Sequence, residues 1–299
     1  MYGELPILVG EIGINGNGNI DIVTDTIEMV FNAVSPYYPL DKVYIKFQKR
    51  NPAKSVPHHM WDTPRKSLLT GQMTNYITYK RQLEHSLSDY TKIHYAVYDL
   101  FEKHNWFVSV WDLDSVAWVK EEFPYMPYIK IPSAHLMNGE LIDAVMGTGI
   151  PPIVSTGMST EEEIRWALHR FGLHNTSMPV VMHCNSSYPC KDNEIDLNAI
   201  SLLYRLAWDE FKTVSPIGFS SHSPSPYPAI YSNFFNVDMI EFHVTLDRAM
   251  EGSDHSASLE RGAIELLARE TARIPIVRGK EELRVYDSEL EKRRTLRGA

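Results

Sequence analysis

Short apolar runs recur along the chain, separated by segments whose apolar residues return every three or four positions. The runs lie near residues 7–12, 43–48, 106–111, 127–131, 152–155, 179–184, 216–220 and 238–244, and they predict β-strands. Between them, residues 20–34 place Ile20, Val23, Ile27, Val30, Phe31 and Val34 on one stripe, the signature of an amphipathic helix. A further helix is expected over 159–171, opened by a capping box in Ser159, Thr160, Glu161 and Glu162 and stopped at Gly172. Leu259, Ala263, Leu266 and Leu267 mark a last long helix. Eight strands alternating with helices predict a parallel sheet, and eight repeats predict its closure into a (β/α)8 TIM barrel, a single α/β domain over residues 1–278.

Residues 49–82 break the rhythm. They are rich in proline, aromatic and basic residues and follow the second strand, so they fall on the rim where such barrels carry their sites. A substrate-covering loop and an ordered surface excursion both fit. Residues 279–299 are strongly charged and read as an exposed helix or an extension without fixed structure.

Composition narrows the class. The chain has 299 residues, ordinary apolar and charged fractions and a net charge of −9, which argues against nucleic acid or an anionic membrane as the main partner. Two cysteines, Cys184 and Cys190, supply neither a disulfide framework nor a zinc cluster. The start has no secretory pattern and no run is long enough to span a bilayer, so the cytoplasm is expected.

The strand ends carry polar residues where a barrel interior usually carries Val, Ile and Leu. The first strand ends in Glu11; the second carries Lys46 and, two residues on and so on the same face, Gln48. Lys130 and Ser133 follow on the fourth, Ser155 on the fifth, Ser186 and Tyr188 after the sixth, Ser220 on the seventh. The eighth puts Met239, Glu241 and His243 on one face. Lys46 and Lys130 lie in otherwise apolar runs, and a buried ammonium needs an anion. Glu11 and Glu241 could supply it internally; a phosphate or carboxylate ligand, held also by Ser133, Ser155 and Ser220, is the functional reading. His222 and His243 end neighbouring strands and could share a metal ion, or be satisfied core histidines. His58, His59, His85, His94 and His104 read as solvated. The glycines at 16–18 lack the spacing of a nucleotide loop, and no Ser-His-Asp order is present.

The same residues carry a family resemblance. EIGINGNGNI (11–20), IKFQKRNP (45–52), SVWD (109–112), KIPSAHL (130–136), STGMSTEEEI (155–164), HCNSSYPC (183–190), GFSSHS (218–223) and EFHVTLDRAMEGSDHSASLE (241–260) resemble, in order, the blocks of the sialic acid synthase family. That resemblance implies condensation of phosphoenolpyruvate with N-acetylmannosamine or a related amino-sugar aldehyde, at Mn²⁺ or Mg²⁺. It implies metal ligation by His222 and His243. It places phosphoenolpyruvate against Lys46, Lys130, Ser133, Ser155, Ser186, Tyr188 and Ser220, makes Glu11 the catalytic carboxylate, and turns Gln48 and Asp254 toward the sugar.

Three positions depart from the family pattern: Gly16 where a histidine is usual, His135 where a sugar-facing glutamate is common, and Ser221 where an aspartate often precedes the first metal histidine. The family continues into a small antifreeze-like domain that reaches over a partner's site; the sequence stops near the start of that linker, and a homodimer is expected. A metal-dependent isomerase or hydrolase on the same barrel, and a non-catalytic sugar-phosphate-binding barrel, are the competing readings.

Overall fold

A computed structural model describes residues 4–68, 70–174 and 176–297. Eight parallel strands close into a barrel: β1 (Ile7–Glu11), β2 (Val43–Lys49), β5 (Trp106–Val110), β6 (Ile129–Ile131), β7 (Pro152–Ser155), β8 (Val180–His183), β9 (Ile217–Ser221) and β10 (Met239–His243). Each expected strand is present, and β1 closes the barrel between β2 and β10. Strands β3 (Pro64–Lys66) and β4 (Met73–Asn75) form a separate antiparallel hairpin inside the 49–82 excursion, flanked by the short helices α2 (Pro52–Ser55) and α3 (Tyr76–Gln82).

The helices that return the chain are α1 (Ile20–Val34), α4 (Leu87–Phe101), α5 (Leu113–Glu122), α6 (Gly139–Met146), α7 (Glu161–Gly172), α8 (Ala199–Phe211), α9 (Tyr227–Ser232) and α10 (Arg261–Arg278). The stripe read for residues 20–34 is the buried face of α1, whose N-terminus is capped by the Asn19 side chain. Two helix starts differ from expectation. The capping box of α7 is Thr160 with Glu163, one residue later than read, because Thr160 is the residue with extended backbone from which the helix departs. Leu259 lies outside α10, its backbone bridged to Val244.

Outward strand residues build the core against the helices. Phe47 and Trp106 pack on Tyr90 of α4, with ring centroids 6.4 and 5.9 Å away. Each fully buried side chain of this size contributes about 1.5–3 kcal/mol over an exposed one. Inside the barrel, Tyr44, Phe107 and Tyr128 form an aromatic layer with centroids 5.6–6.4 Å apart. That layer fills the interior on the N-terminal side of Lys46, Ser109 and Lys130, so the polar residues stand on a solid floor. His85, expected to be solvated, is buried against Tyr90, because it ends the excursion under the β1–α1 loop.

The chain beyond Arg278 leads to an exposed helix, α11 (Asp287–Arg297), with no buried residue. Among the described residues no helix is long and apolar enough to cross a membrane.

Candidate active site

Strand register sets the site. Glu11 pairs across the sheet with Lys46 on one side and His243 on the other; Glu241 pairs with Ser220; Ser109 pairs with both Gln48 and Lys130. Residues in register share a face, so these side chains converge on the barrel axis. They line a cavity of about 170 Å³ at the C-terminal ends of the strands. Of the residues singled out in the sequence, Glu11, Lys46, Gln48, Lys130, Ser133, Ser155, Ser186, Tyr188, Ser220, His222 and His243 all line it. Asp254 does not; its Oδ2 lies 3.7 Å from His243 Nδ1.

Both buried lysines are paired with carboxylates inside the protein. Lys46 Nζ contacts Glu11 Oε2, lies 3.6 Å from Glu241 Oε1 and donates to Ser109 Oγ at 2.9 Å. Lys130 Nζ donates to Glu241 Oε1 at 2.6 Å, and Ser220 Oγ donates to the same oxygen at 3.0 Å. Burial pushes the Glu241 carboxyl up, but Lys130 and Lys46 overcome it and hold the group down to about 2. Burial likewise pulls the Lys46 ammonium down, and Glu11 and Glu241 outweigh it, for a net rise. Gln48 Nε2 donates to Glu11 Oε1 at 3.0 Å, which fixes the carboxylate plane.

Not every polar atom here has a partner. Ser155 Oγ and Glu241 Oε2 are buried with no hydrogen bond. Groups left so at a cavity wall cost free energy that a ligand can restore. Ser133 Oγ accepts from Gly157 N–H at 3.1 Å and sits 3.2 Å from Cys184 Sγ, so a hydroxyl, a thiol and a backbone turn meet at one end of the cavity.

His222 and His243 stand side by side, ring centroids 5.2 Å apart. Burial, reinforced by the neighbouring His243, pulls His222 down to about 3, so its imidazole is neutral. His222 Nδ1 contacts the Asn185 carbonyl and can only donate to it. Nε2 is therefore a lone pair, which accepts from Tyr188 O–H at 2.9 Å. Burial pushes the Tyr188 phenol well above its usual range, with Asp254 adding to the effect, and so it keeps its proton. His243 Nδ1 is buried without a hydrogen-bond partner. Among the described residues no group of three or more His, Cys, Asp or Glu converges as a metal cluster, so two imidazoles are what the wall offers.

Sequence reasoning missed Ser109 and Trp111, which line the cavity from β5 and its end. Alternation along β5 would have found Ser109, two residues before Trp111 and across from Gln48. Trp111 carries the Arg50 guanidinium over its ring at 4.8 Å, and Arg50 in turn donates to Gln48 Oε1. Met158 was also missed; it enters from the β7–α7 turn at positive φ, which an apolar residue gives no reason to expect.

Residues 41–282 match the model of the NeuB family. Human N-acetylneuraminate-9-phosphate synthase is 26% identical over 275 residues, covering 89% of this chain and 70% of its own. The N,N'-diacetyllegionaminic acid synthase of Campylobacter jejuni is 26% identical over 273 residues, covering 90% and 76%. The crystal structure of the sialic acid synthetase of Leptospira borgpetersenii, in complex with citrate, superposes with a TM-score of 0.76 at 24% identity, over 98% of this chain and 93% of that one, and has the same fold. With the matched residues spanning most of the barrel, this chain belongs to the NeuB family.

Proposed function

We propose that the protein condenses phosphoenolpyruvate with an amino-sugar aldehyde of the N-acetylmannosamine kind, releasing phosphate and a sialic-acid-type 2-keto-3-deoxy sugar acid. Membership of the NeuB family supports a synthase of the phosphoenolpyruvate-condensing kind. The observation that carries the reading is the pair Lys46 and Lys130, buried at the barrel mouth beside a hydroxyl and a carboxylate oxygen without hydrogen-bond partners, next to the imidazoles of His222 and His243.

Lys46, Lys130, Glu11 and Glu241 sum to zero charge. Phosphoenolpyruvate brings roughly three negative charges at neutral pH, so its binding calls for a further cation. The imidazoles of His222 and His243, side by side on the cavity wall, would hold Mn²⁺ or Mg²⁺ and leave the remaining positions to water or substrate. Such a cation polarises an aldehyde oxygen as a Lewis acid.

The chain's own residues supply the rest. Lys46 and Lys130 neutralise the phosphate and carboxylate, and Ser133, Ser155, Ser186 and Ser220 donate to their oxygens, which holds the enol carbon toward the aldehyde. C3 of the enol ester bonds to the aldehyde carbon, leaving positive charge at C2. Water adds at C2, and one of its protons passes by way of Glu11 to the alkoxide left on the former aldehyde oxygen; the Glu11 carboxylate also stabilises the cation before water arrives. The tetrahedral centre then breaks its C–O bond and expels phosphate, the C2 hydroxyl proton leaving with the phosphate as the ketone forms. Tyr188 stands with the serines on the phosphoenolpyruvate side, while Gln48 on the cavity wall and Asp254 beside His243 orient the sugar through its hydroxyls.

The test is consumption of phosphoenolpyruvate with equimolar phosphate release, using Mn²⁺ and a panel of N-acetylated aldoses. Turnover with at least one aldose is expected. No consumption with any of them, from protein that binds phosphoenolpyruvate, would sink the proposal in favour of a binding barrel.

A further inference from the structure

Trp111 is the one tryptophan among the described residues whose indole N–H is buried with no hydrogen-bond partner. Trp61 and Trp106, by contrast, donate to the Val56 carbonyl and to His94 Nδ1. An indole N–H can only donate, and a buried donor left unmet is costly, so Trp111 calls for an acceptor oxygen. The ring lines the barrel-mouth cavity and is held by two neighbours. The Arg50 guanidinium lies 4.8 Å from its centroid, and the His135 ring stands perpendicular to it at 5.5 Å.

The surroundings select the kind of oxygen. Arg50 is answered by Glu84, 3.0 Å away, and burial pulls the His135 imidazole below its usual value, so it is neutral at pH 7. The turn Ser133–His135 sets Ala134 on the cavity wall after Pro132, and both side chains are apolar. Where Lys46 and Lys130 line the cavity, the wall suits an anion; at Trp111 it offers a neutral donor among apolar groups. A carboxylate or phosphate gains little there, whereas a carbonyl oxygen bearing a methyl meets both features. Gln48 ties this corner to the acceptor: Arg50 donates to Gln48 Oε1, and Gln48 pairs in register with Ser109, two residues before Trp111.

We propose that Trp111 is a specificity-determining residue whose Nε1–H donates to the carbonyl oxygen of an N-acyl group on the acceptor sugar, with Pro132 and Ala134 against the acyl methyl. This rests on the condensing reading above, and it names the feature by which the acceptor is chosen. A site built around a hydrogen-bond donor rejects an analogue that lacks the matching oxygen far more strongly than an apolar pocket rejects a missing methyl, because the buried donor is then left bare. The discrimination therefore resides in one N–H, and removing it while keeping an aromatic ring should level the affinities for acylated and unacylated sugars.

The experiment is calorimetric titration of the full chain, with saturating phosphoenolpyruvate and with EDTA to prevent turnover. The ligands are N-acetylmannosamine and 2-deoxyglucose, the same hexose with hydrogen in place of the acylamino group. The wild type should bind the acylated sugar about tenfold or more tightly than the deoxy sugar. In Trp111→Phe that preference should shrink to under about threefold, through weaker binding of the acylated sugar alone, with phosphoenolpyruvate affinity unchanged. Should Trp111→Phe fail to fold, the wild type labelled with 15N at its six indoles decides: N-acetylmannosamine should move an indole N–H resonance downfield and 2-deoxyglucose should move none. The proposal is overturned by equal or absent binding of the two sugars to the wild type, by a preference that survives in Trp111→Phe, or by indole resonances that both sugars leave in place. A loss of phosphoenolpyruvate affinity in Trp111→Phe also overturns it, because the N–H then serves the enol ester. Phosphoenolpyruvate consumption with Mn²⁺ is scored separately: acyl preference without turnover sinks the condensing reading, and turnover without acyl preference sinks the role of Trp111.

Discussion

Lys130 Nζ and Glu241 Oε1 lie 2.6 Å apart at the centre of the barrel, each side chain under 5% exposed. Ser220 and Lys46 share the same oxygen, and Glu241 Oε2 is left bare. The pair is part of the binding surface and of the core at once. Taking two charges out of water is costly, and their attraction returns that cost only while both are present.

Lys130→Met should therefore destabilise the protein by about 3–5 kcal/mol, because it strands the Glu241 charge in the interior. Glu241→Gln in the same chain should restore part of the loss by removing the stranded charge. Urea unfolding of the wild type and the variants measures both. A change below about 0.5 kcal/mol in Lys130→Met, the size of an ordinary surface effect, would mean that water already reaches the pair.

Gly157 faces the end of the cavity where Ser133, Cys184 and Ser186 meet. A Cβ there would collide with Ser186 Oγ and come within 2.8 Å of Cys184 Sγ and 2.9 Å of Ser133 Oγ. Gly157→Ala should weaken phosphoenolpyruvate binding tenfold or more, since the methyl occupies space a ligand oxygen needs. Gly262→Ala, where an added Cβ on α10 meets nothing, is the control and should leave binding unchanged. Equal affinities in the two variants would place the ligand elsewhere.

The barrel was legible because its signals are short-range. Apolar runs such as Val43 to Phe47 announce strands, and a lysine inside such a run at period two from Gln48 announces an inward polar face. Lys46, Lys130 and Glu241 were visible for that reason. What failed depends on neighbours far along the chain. His85 is buried by a loop some seventy residues upstream in sequence, around Gly16. Ser109 and Trp111 matter through pairing of β5 with β2 and β6, and the β3–β4 hairpin forms from residues with no alternating pattern. Asp254 could be placed near the site by resemblance, and the coordinates add that its carboxylate stands 3.7 Å from His243 Nδ1 without lining the cavity.

The metal-free protein should lose stability as pH falls from 7 to 5. Burial pulls His85, His94, His135, His183, His222 and His255 below their usual value of 6.5, His222 to about 3. Below pH 6.5 the unfolded chain takes up protons that the folded chain refuses, so stability falls with pH, by up to about 1.4 kcal/mol per unit for each such group. Glu84 and Asp238, raised by burial, bind protons in the fold and act the other way, but two carboxyls oppose six imidazoles. Glu241, held down to about 2, adds its own loss below pH 4.5. Urea midpoints at pH 7, 6 and 5 test the trend. A flat or rising midpoint would show that these imidazoles gain protons in the native state.

Cation binding can be separated from turnover. An ion that binds only the folded chain stabilises it by about 2.7 kcal/mol at a hundred times its Kd, so Mn²⁺ should raise Tm measurably. His222→Ala removes the Nε2 lone pair and should abolish both the rise in Tm and the consumption of phosphoenolpyruvate. Asp254→Asn is more informative. Its carboxylate lies 3.7 Å from His243 Nδ1 and outside the cavity, so it can act on a bound cation only by orienting and polarising that imidazole. Mn²⁺ affinity should fall about 10–100-fold in this variant, with phosphoenolpyruvate affinity in the absence of metal unchanged. If His222→Ala keeps the full rise in Tm, the ion sits elsewhere on the molecule. If instead Asp254→Asn weakens phosphoenolpyruvate itself, the aspartate helps to form the cavity, and the pair of imidazoles needs no carboxylate behind it.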